Sequence, residues 1–199
     1  MVFKRFLLFS LALFVMVGTH VSHASDRLTF ELNRLDSGQA VKVTEKDWQG
    51  KYLLVAVGYT GCPDVCPVTM LDLRQTMQTL DKIAPEKVNE LQPLFITIDP
   101  QSDTLEDITR FGAFFDPRII GLRADSYEQL DHVVERLRAS YGYQLGDKPV
   151  FPPNLPKGYT VMHSIFIYLY SPDRELLDVY RYDTSGETLA KSILTHLSQ

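Results

Sequence analysis

Apolar positions along the chain follow two rhythms. Leu53–Val57 is a short, unbroken apolar run rich in branched residues, the pattern of a strand buried on both faces, as in a parallel sheet. After it, Met70, Leu71, Leu73, Met77, Leu80 and Ile83 recur at helical spacing. They predict a helix from Pro67 to Ile83, with the proline in the first turn, where its missing N–H costs nothing, and Ala84-Pro85 as the stop. Leu94–Ile98 predicts a second buried strand, ending at Asp99-Pro100. Thr104 with Asp107 reads as a capping box for a helix over Leu105–Phe115, which Asp116-Pro117-Arg118 breaks. Ile119–Leu122 is a third short strand, and Ser126 with Gln129 is a second capping box, opening a helix to Leu137 or Ala139.

The flanks are read differently. Leu28, Phe30 and Leu32 alternate with polar residues, Asp36-Ser37-Gly38 is a turn, and Val41 and Val43 follow, which predicts an N-terminal hairpin. Trp48, the only tryptophan, suits packing at the core's edge. From Tyr141 to Tyr159 periodicity stops, and a proline- and glycine-rich stretch carrying Tyr141, Tyr143, Phe151 and Tyr159 reads as a long loop insertion. Ser164–Tyr170 is a strongly apolar strand, Ser171–Arg174 a turn, Glu175–Tyr180 the returning strand and Glu187–Leu197 a closing helix. Strands alternating with helices imply an α/β protein, a central mixed sheet flanked by helices. In such sheets ligands gather at the carboxyl ends of the strands, where Cys62, Asp99 and Leu122 fall.

With 199 residues, 45% of them hydrophobic, the chain suffices for one domain. The formal net charge is -5, and no basic block is present, which argues against a nucleic-acid partner. Lys4 and Arg5, the apolar stretch Leu7–Gly18 and the small residues of Ser22-His23-Ala24 resemble an export signal cut after Ala24. The rival is an uncleaved membrane anchor, although Phe6–Gly18 is short against the roughly 20 apolar residues of a span. The chain therefore divides into residues 1–24, signal or anchor, and residues 25–199, an exported domain. In a bacterium that domain belongs in the periplasm, soluble or tethered to the inner membrane.

Cys62 and Cys66 are the only cysteines, too few for a disulfide scaffold. They sit where the first central strand gives way to a helix, the thioredoxin arrangement of a redox pair, and the helix N-terminus favours a thiolate, most directly at Cys62. Their spacing is one residue longer than that of the usual redox pair, which leaves room to hold something between the sulfurs. Soft thiolates select monovalent copper or zinc. A third ligand would come from His132, His163 or His196. His196 suits the dipole at the end of a helix, and His132 lies within one. His163 stands between the loop and the Ser164–Tyr170 strand, and its residue type and place leave it open between a ligand and a hydrogen-bonded strand-start histidine.

The chain resembles the Sco/SenC family of copper chaperones for cytochrome c oxidase assembly. The resemblance is carried by Gly58-Tyr59-Thr60, Cys62-Pro63-Asp64-Val65-Cys66-Pro67, Phe95–Pro100 with Asp103-Thr104, Phe115–Leu122 and His163–Leu169, in order over roughly residues 30–197. It implies a thioredoxin-like fold and one bound copper, Cu(I) foremost and Cu(II) as an alternative state, with Cys62, Cys66 and His163 as ligands. It implies as partner the copper-binding subunit of the oxidase, with another copper chaperone or a thioredoxin-like reductant as further partners. Asp99 and Asp103 are then candidates to orient the site or meet the partner, or else turn and cap residues. The chain departs from the family pattern at Gly61, at Gln101-Ser102, where an arginine is common, and at Met162, where an aspartate is common. Met162 is a core filler or a soft contact to the metal. Three functions stay open: a metallochaperone, a thiol-disulfide oxidoreductase that keeps the cysteines of the oxidase copper subunit reduced, and a thioredoxin-like domain with an inert bond. A histidine ligand favours the first, since a reductase does not need one.

Overall fold

The strand at the centre, β3 (Tyr52–Gly58), is buried on both faces because its residues alternate between two cores. The structure, a computed structural model, describes residues 27–197, so the signal or anchor expected over residues 1–24 lies outside the described residues. Among the described residues no helix is long and apolar enough to cross a membrane.

The chain opens with an antiparallel hairpin, β1 (Glu31–Asp36) and β2 (Gln39–Thr44). Helix α1 (Val65–Ile83) follows β3, then β4 (Leu91–Thr97), α2 (Leu105–Phe115), β5 (Ile120–Leu122) and α3 (Tyr127–Arg136). Next come β6 (Tyr141–Leu145), β7 (Lys148–Val150), β8 (Thr160–His163), β9 (Phe166–Tyr170), β10 (Leu176–Arg181) and α4 (Gly186–Leu197). The main sheet has the order β10-β9-β3-β4-β5, parallel from β3 to β5 and antiparallel where β9 and β10 join, hence mixed. Leu53, Val55 and Val57 face the core shared with Phe30, Leu32, Trp48 and α3, whereas Leu54 and Ala56 face α1 and α4. This is the thioredoxin-like α/β arrangement expected, with its N-terminal hairpin.

Four expectations need correction. The proline- and glycine-rich stretch is not one long loop: β6, β7 and β8 form a separate three-stranded sheet of order β7-β6-β8. Its prolines are compatible with that because Pro149 lies on the edge strand, and Gly146, with a φ of 60°, turns the chain between β6 and β7. Helix α1 begins at Val65, so Cys66 lies inside its first turn. The strand expected over Ser164–Tyr170 begins only at Phe166; Ser164 and Ile165 carry the chain from the small sheet to the large one. At α3, Ser126 caps as expected, accepting from the Gln129 N–H, but the Gln129 side chain accepts from the Asp125 N–H instead of closing the box. The box of Thr104 and Asp107 on α2 is complete.

Candidate metal centre

The carboxyl end of β3 delivers the cysteines. The chain leaves the strand at Gly58 and turns so that the Cys62 N–H bonds the Tyr59 carbonyl at 3.3 Å. Asp64, the N-cap of α1, makes no side-chain capping bond; the Cys62 Sγ instead accepts from the Cys66 N–H at 3.5 Å. A sulfur thus occupies the place where a capping oxygen usually sits, at the positive end of the helix.

The histidine arrives from the small sheet. His163 ends β8, paired with Tyr141 of β6. Its Nδ1 lies 2.8 Å from the Ser164 carbonyl, which only accepts, so Nδ1 carries the proton and Nε2 keeps its lone pair. That Nε2 is 3.7 Å from Cys66 Sγ. The ligating atoms of Cys62, Cys66 and His163 all lie within 4.8 Å of one another. Two sulfurs and an imidazole whose other nitrogen is pinned by a carbonyl form a donor set that fits a soft metal ion.

The thiols differ. Burial opposes a Cys62 thiolate, but the backbone bonds from Asp64, Cys66 and Val65 outweigh it and hold this thiol below its ordinary value. Burial pushes the Cys66 thiol well above its ordinary value, and neighbouring Cys62 adds to this. Burial also lowers His163, against the bond to Ser164, so the ring favours its neutral form. The Tyr59 ring meets the His163 ring edge-on, with centroids 6.1 Å apart. Burial, then the sulfurs, push the Tyr59 phenol up to about 12.

The remaining candidates take separate places. Asp103, 3% exposed, accepts from the Thr60 N–H and from the hydroxyls of Thr60 and Thr97, which braces the cysteine loop. Asp99, 4% exposed, accepts from the Tyr159 hydroxyl at 2.6 Å. Met162 neighbours His163 on β8, and strand alternation turns it to the other face, where it lines a cleft of about 420 Å³ with Tyr141, Val150 and Phe151. His132 bonds Thr29, and His196 lies 3.9 Å from Asp178, both away from the cysteines. Sequence reasoning passed over Gly58, Gln101 and Tyr159 as site residues. A glycine closing an otherwise branched strand was the one local signal for Gly58.

A family model described as SCO1/SenC matches residues 27–198. The human "Protein SCO1 homolog, mitochondrial" is 36% identical over 154 residues, which cover 77% of this chain and 48% of that protein. The chain therefore spans about half the length of this relative. The structure of Arabidopsis thaliana ScoI with copper bound superposes with a TM-score of 0.72 at 28% identity, covering 87% of this chain and 99% of the other. Yeast Sco1 with copper bound gives 0.71 at 28% identity, covering 87% and 88%.

Proposed function

The chain belongs to the SCO1/SenC family, and from that premise we propose that it is a metallochaperone which carries copper to the binuclear copper centre of cytochrome c oxidase. The single observation that carries this is the convergence of Cys62, Cys66 and His163 within 4.8 Å, with the free imidazole nitrogen turned towards a sulfur. Cu(I) is the cargo, because two thiolates and one imidazole give a soft site of low coordination number. Cu(II) is a second state of the same site. Such a site releases its ion by ligand exchange, incoming donors of the oxidase copper subunit replacing the resident ones in turn. The helix N-terminus offsets part of the negative charge of the thiolates. Oxidation of Cys62 and Cys66 to a disulfide removes two electrons and two protons and abolishes binding, so a thioredoxin-like reductant is a required partner. Another copper chaperone is the source of the ion. The basic and apolar residues of 1–24 support export, in a bacterium to the periplasm, with the domain released or held at the membrane.

The test is anaerobic titration of the reduced protein with Cu(I), repeated on His163→Ala. One tight equivalent that weakens sharply on the substitution is expected; unchanged affinity removes His163 from the ligand set.

One observation favours a second activity. Cys62 is held towards its thiolate while Cys66 is buried as a thiol, the division of labour between an attacking and a resolving cysteine. If the protein is a thiol-disulfide oxidoreductase for the oxidase copper subunit, it reduces a disulfide peptide from that subunit's copper site rapidly, and His163→Ala leaves the rate unchanged.

A further inference from the structure

Cys66 and His163 stand 97 residues apart in the chain, the cysteine in the first turn of α1 and the histidine at the end of β8 in the small sheet. The turn after β4 is hydrogen-bonded to the segments that carry both of them. Towards the cysteines, Asp103 accepts the Thr60 N–H and hydroxyl, two residues before Cys62. The Thr97 hydroxyl donates to the same carboxylate and accepts from the Asp99 N–H at 3.1 Å. Towards the histidine, Asp99 accepts the Tyr159 hydroxyl at 2.6 Å, so the Ser102 hydroxyl, 2.7 Å away, donates to the tyrosine oxygen. The Gln101 side chain clasps Leu155, its amide donating to the Leu155 carbonyl at 3.1 Å and its oxygen accepting from the Leu155 N–H at 2.9 Å. The Tyr143 hydroxyl donates to the Ile98 carbonyl. A continuous run of hydrogen bonds thus joins Thr60 to Tyr159.

Tyr159 immediately precedes β8, and His163 closes that strand. Both carboxylates in the run are buried, so water does not compete for them and their bonds hold geometry firmly. The ring of Tyr159 also packs edge-on against Tyr143, with centroids 5.6 Å apart, which leaves the hydroxyl as the part committed to Asp99.

Resting on the assignment of His163 as a ligand, we propose that Tyr159 and Gln101 are positioning residues that hold the histidine arm against the cysteine loop before the metal arrives. Their work is preorganisation: an arm already in place loses less freedom when the third bond forms, so the metal is held more tightly and leaves more slowly. Loss of the latch leaves the two thiolates intact and weakens the histidine's contribution alone.

The test is a double-mutant cycle on the reduced full chain, with Cu(I) affinity read by competition against a chromophoric Cu(I) chelator under anaerobic conditions. Tyr159→Phe is expected to lower affinity about tenfold, the scale of one lost charge-assisted bond. On the His163→Ala background the same change should shift affinity less than about twofold, because only coupled residues fail to add. Gln101→Ala, at an exposed residue, should give a smaller loss with the same dependence on His163, and it carries the test alone if Tyr159→Phe does not fold. Full affinity in Tyr159→Phe and Gln101→Ala, or equal losses with and without His163, overturns the proposal. If His163→Ala itself leaves affinity unchanged, the ligand assignment fails first and the latch with it, a result separate from failure of the latch alone.

Discussion

Gly58 lies against Cys66 so closely that a Cβ added to the glycine would stand 2.7 Å from the cysteine sulfur, and 2.9 Å from the Phe95 ring. The strand must end without a side chain for the thiol to occupy its place. Gly58→Ala is therefore expected to push Cys66 Sγ out of line with His163. It should cost about 1–3 kcal/mol of stability, the range for overpacking, and weaken Cu(I) binding as well. Gly61→Ala is the control: its added carbon would meet only the Tyr59 ring, at 3.7 Å, an ordinary contact. Urea unfolding and copper titration of the two variants check this, and parental behaviour of Gly58→Ala would refute it.

The carboxylate of Asp103 holds the loop in front of Cys62. Asp103→Ala leaves the Thr60 N–H and two hydroxyls without their acceptor, the Thr97 hydroxyl fully buried and Thr60 half-buried. A loss of about 2 kcal/mol is expected, the scale for a hydrogen bond to a charged group. Hydrogen exchange should locate the change, with faster exchange at Thr60 and its neighbours and little change in α4.

Legibility in the sequence followed the range of each interaction. Helix α2 could be read because its cap is local: Thr104 and Asp107 are three residues apart and satisfy each other. The central strand could be read because burial on both faces demands a continuous apolar run, which Leu53–Val57 supplies. The small sheet could not, since Pro149, Pro152 and Pro153 interrupt the alternation and its pairing sets β6 against residues as distant as His163. The two cysteines were legible as a pair from spacing; His163 stood apart from His132 and His196 by its place before the Ser164–Tyr170 strand, but its role as a ligand came only with the family resemblance. The bond between Asp99 and Tyr159 spans 60 residues, and the clash awaiting a side chain at Gly58 exists only once α1 has packed.

Arg174 secures the opposite end of the domain. It is 6% exposed, and its guanidinium donates to the carbonyls of Glu45 at 2.7 Å, Trp48 at 2.7 Å, Lys51 at 2.7 Å and Ser171 at 3.1 Å. A lysine has three donors on one atom and cannot span carbonyls from three segments. Arg174→Lys should cost about 2–3 kcal/mol, from carbonyls left without partners. Lys51 precedes β3 and Gly58 ends it, so the damage lies roughly 20 Å from the thiols at about 3.3 Å per residue. Unfolding by urea should shift while Cu(I) affinity stays at the parental value.

The unlike thiols give copper binding a pH dependence. Cys62 sits below its ordinary value, so near neutral pH it is alkylated first by iodoacetamide, and Cys66, buried and pushed upward, is protected. For stability without metal the two signs oppose. A depressed folded value means that the Cys62 contribution is present above the unfolded thiol value and is lost as pH falls through the folded one. A raised folded value means that folding retains a Cys66 proton that the unfolded chain releases above about 8.5, so stability declines as pH climbs past that point. Cys66→Ser should lessen that alkaline decline. With Cys66 a ligand as proposed, metal binding expels its proton, while the lowered His163 value keeps the ring from competing near neutrality. Affinity for Cu(I) should therefore rise with pH between 6 and 9, by about tenfold per unit for each proton released. Calorimetry in buffers of different ionisation enthalpy counts those protons, and an affinity that does not change with pH would contradict the assignment of Cys66 as the protonated partner.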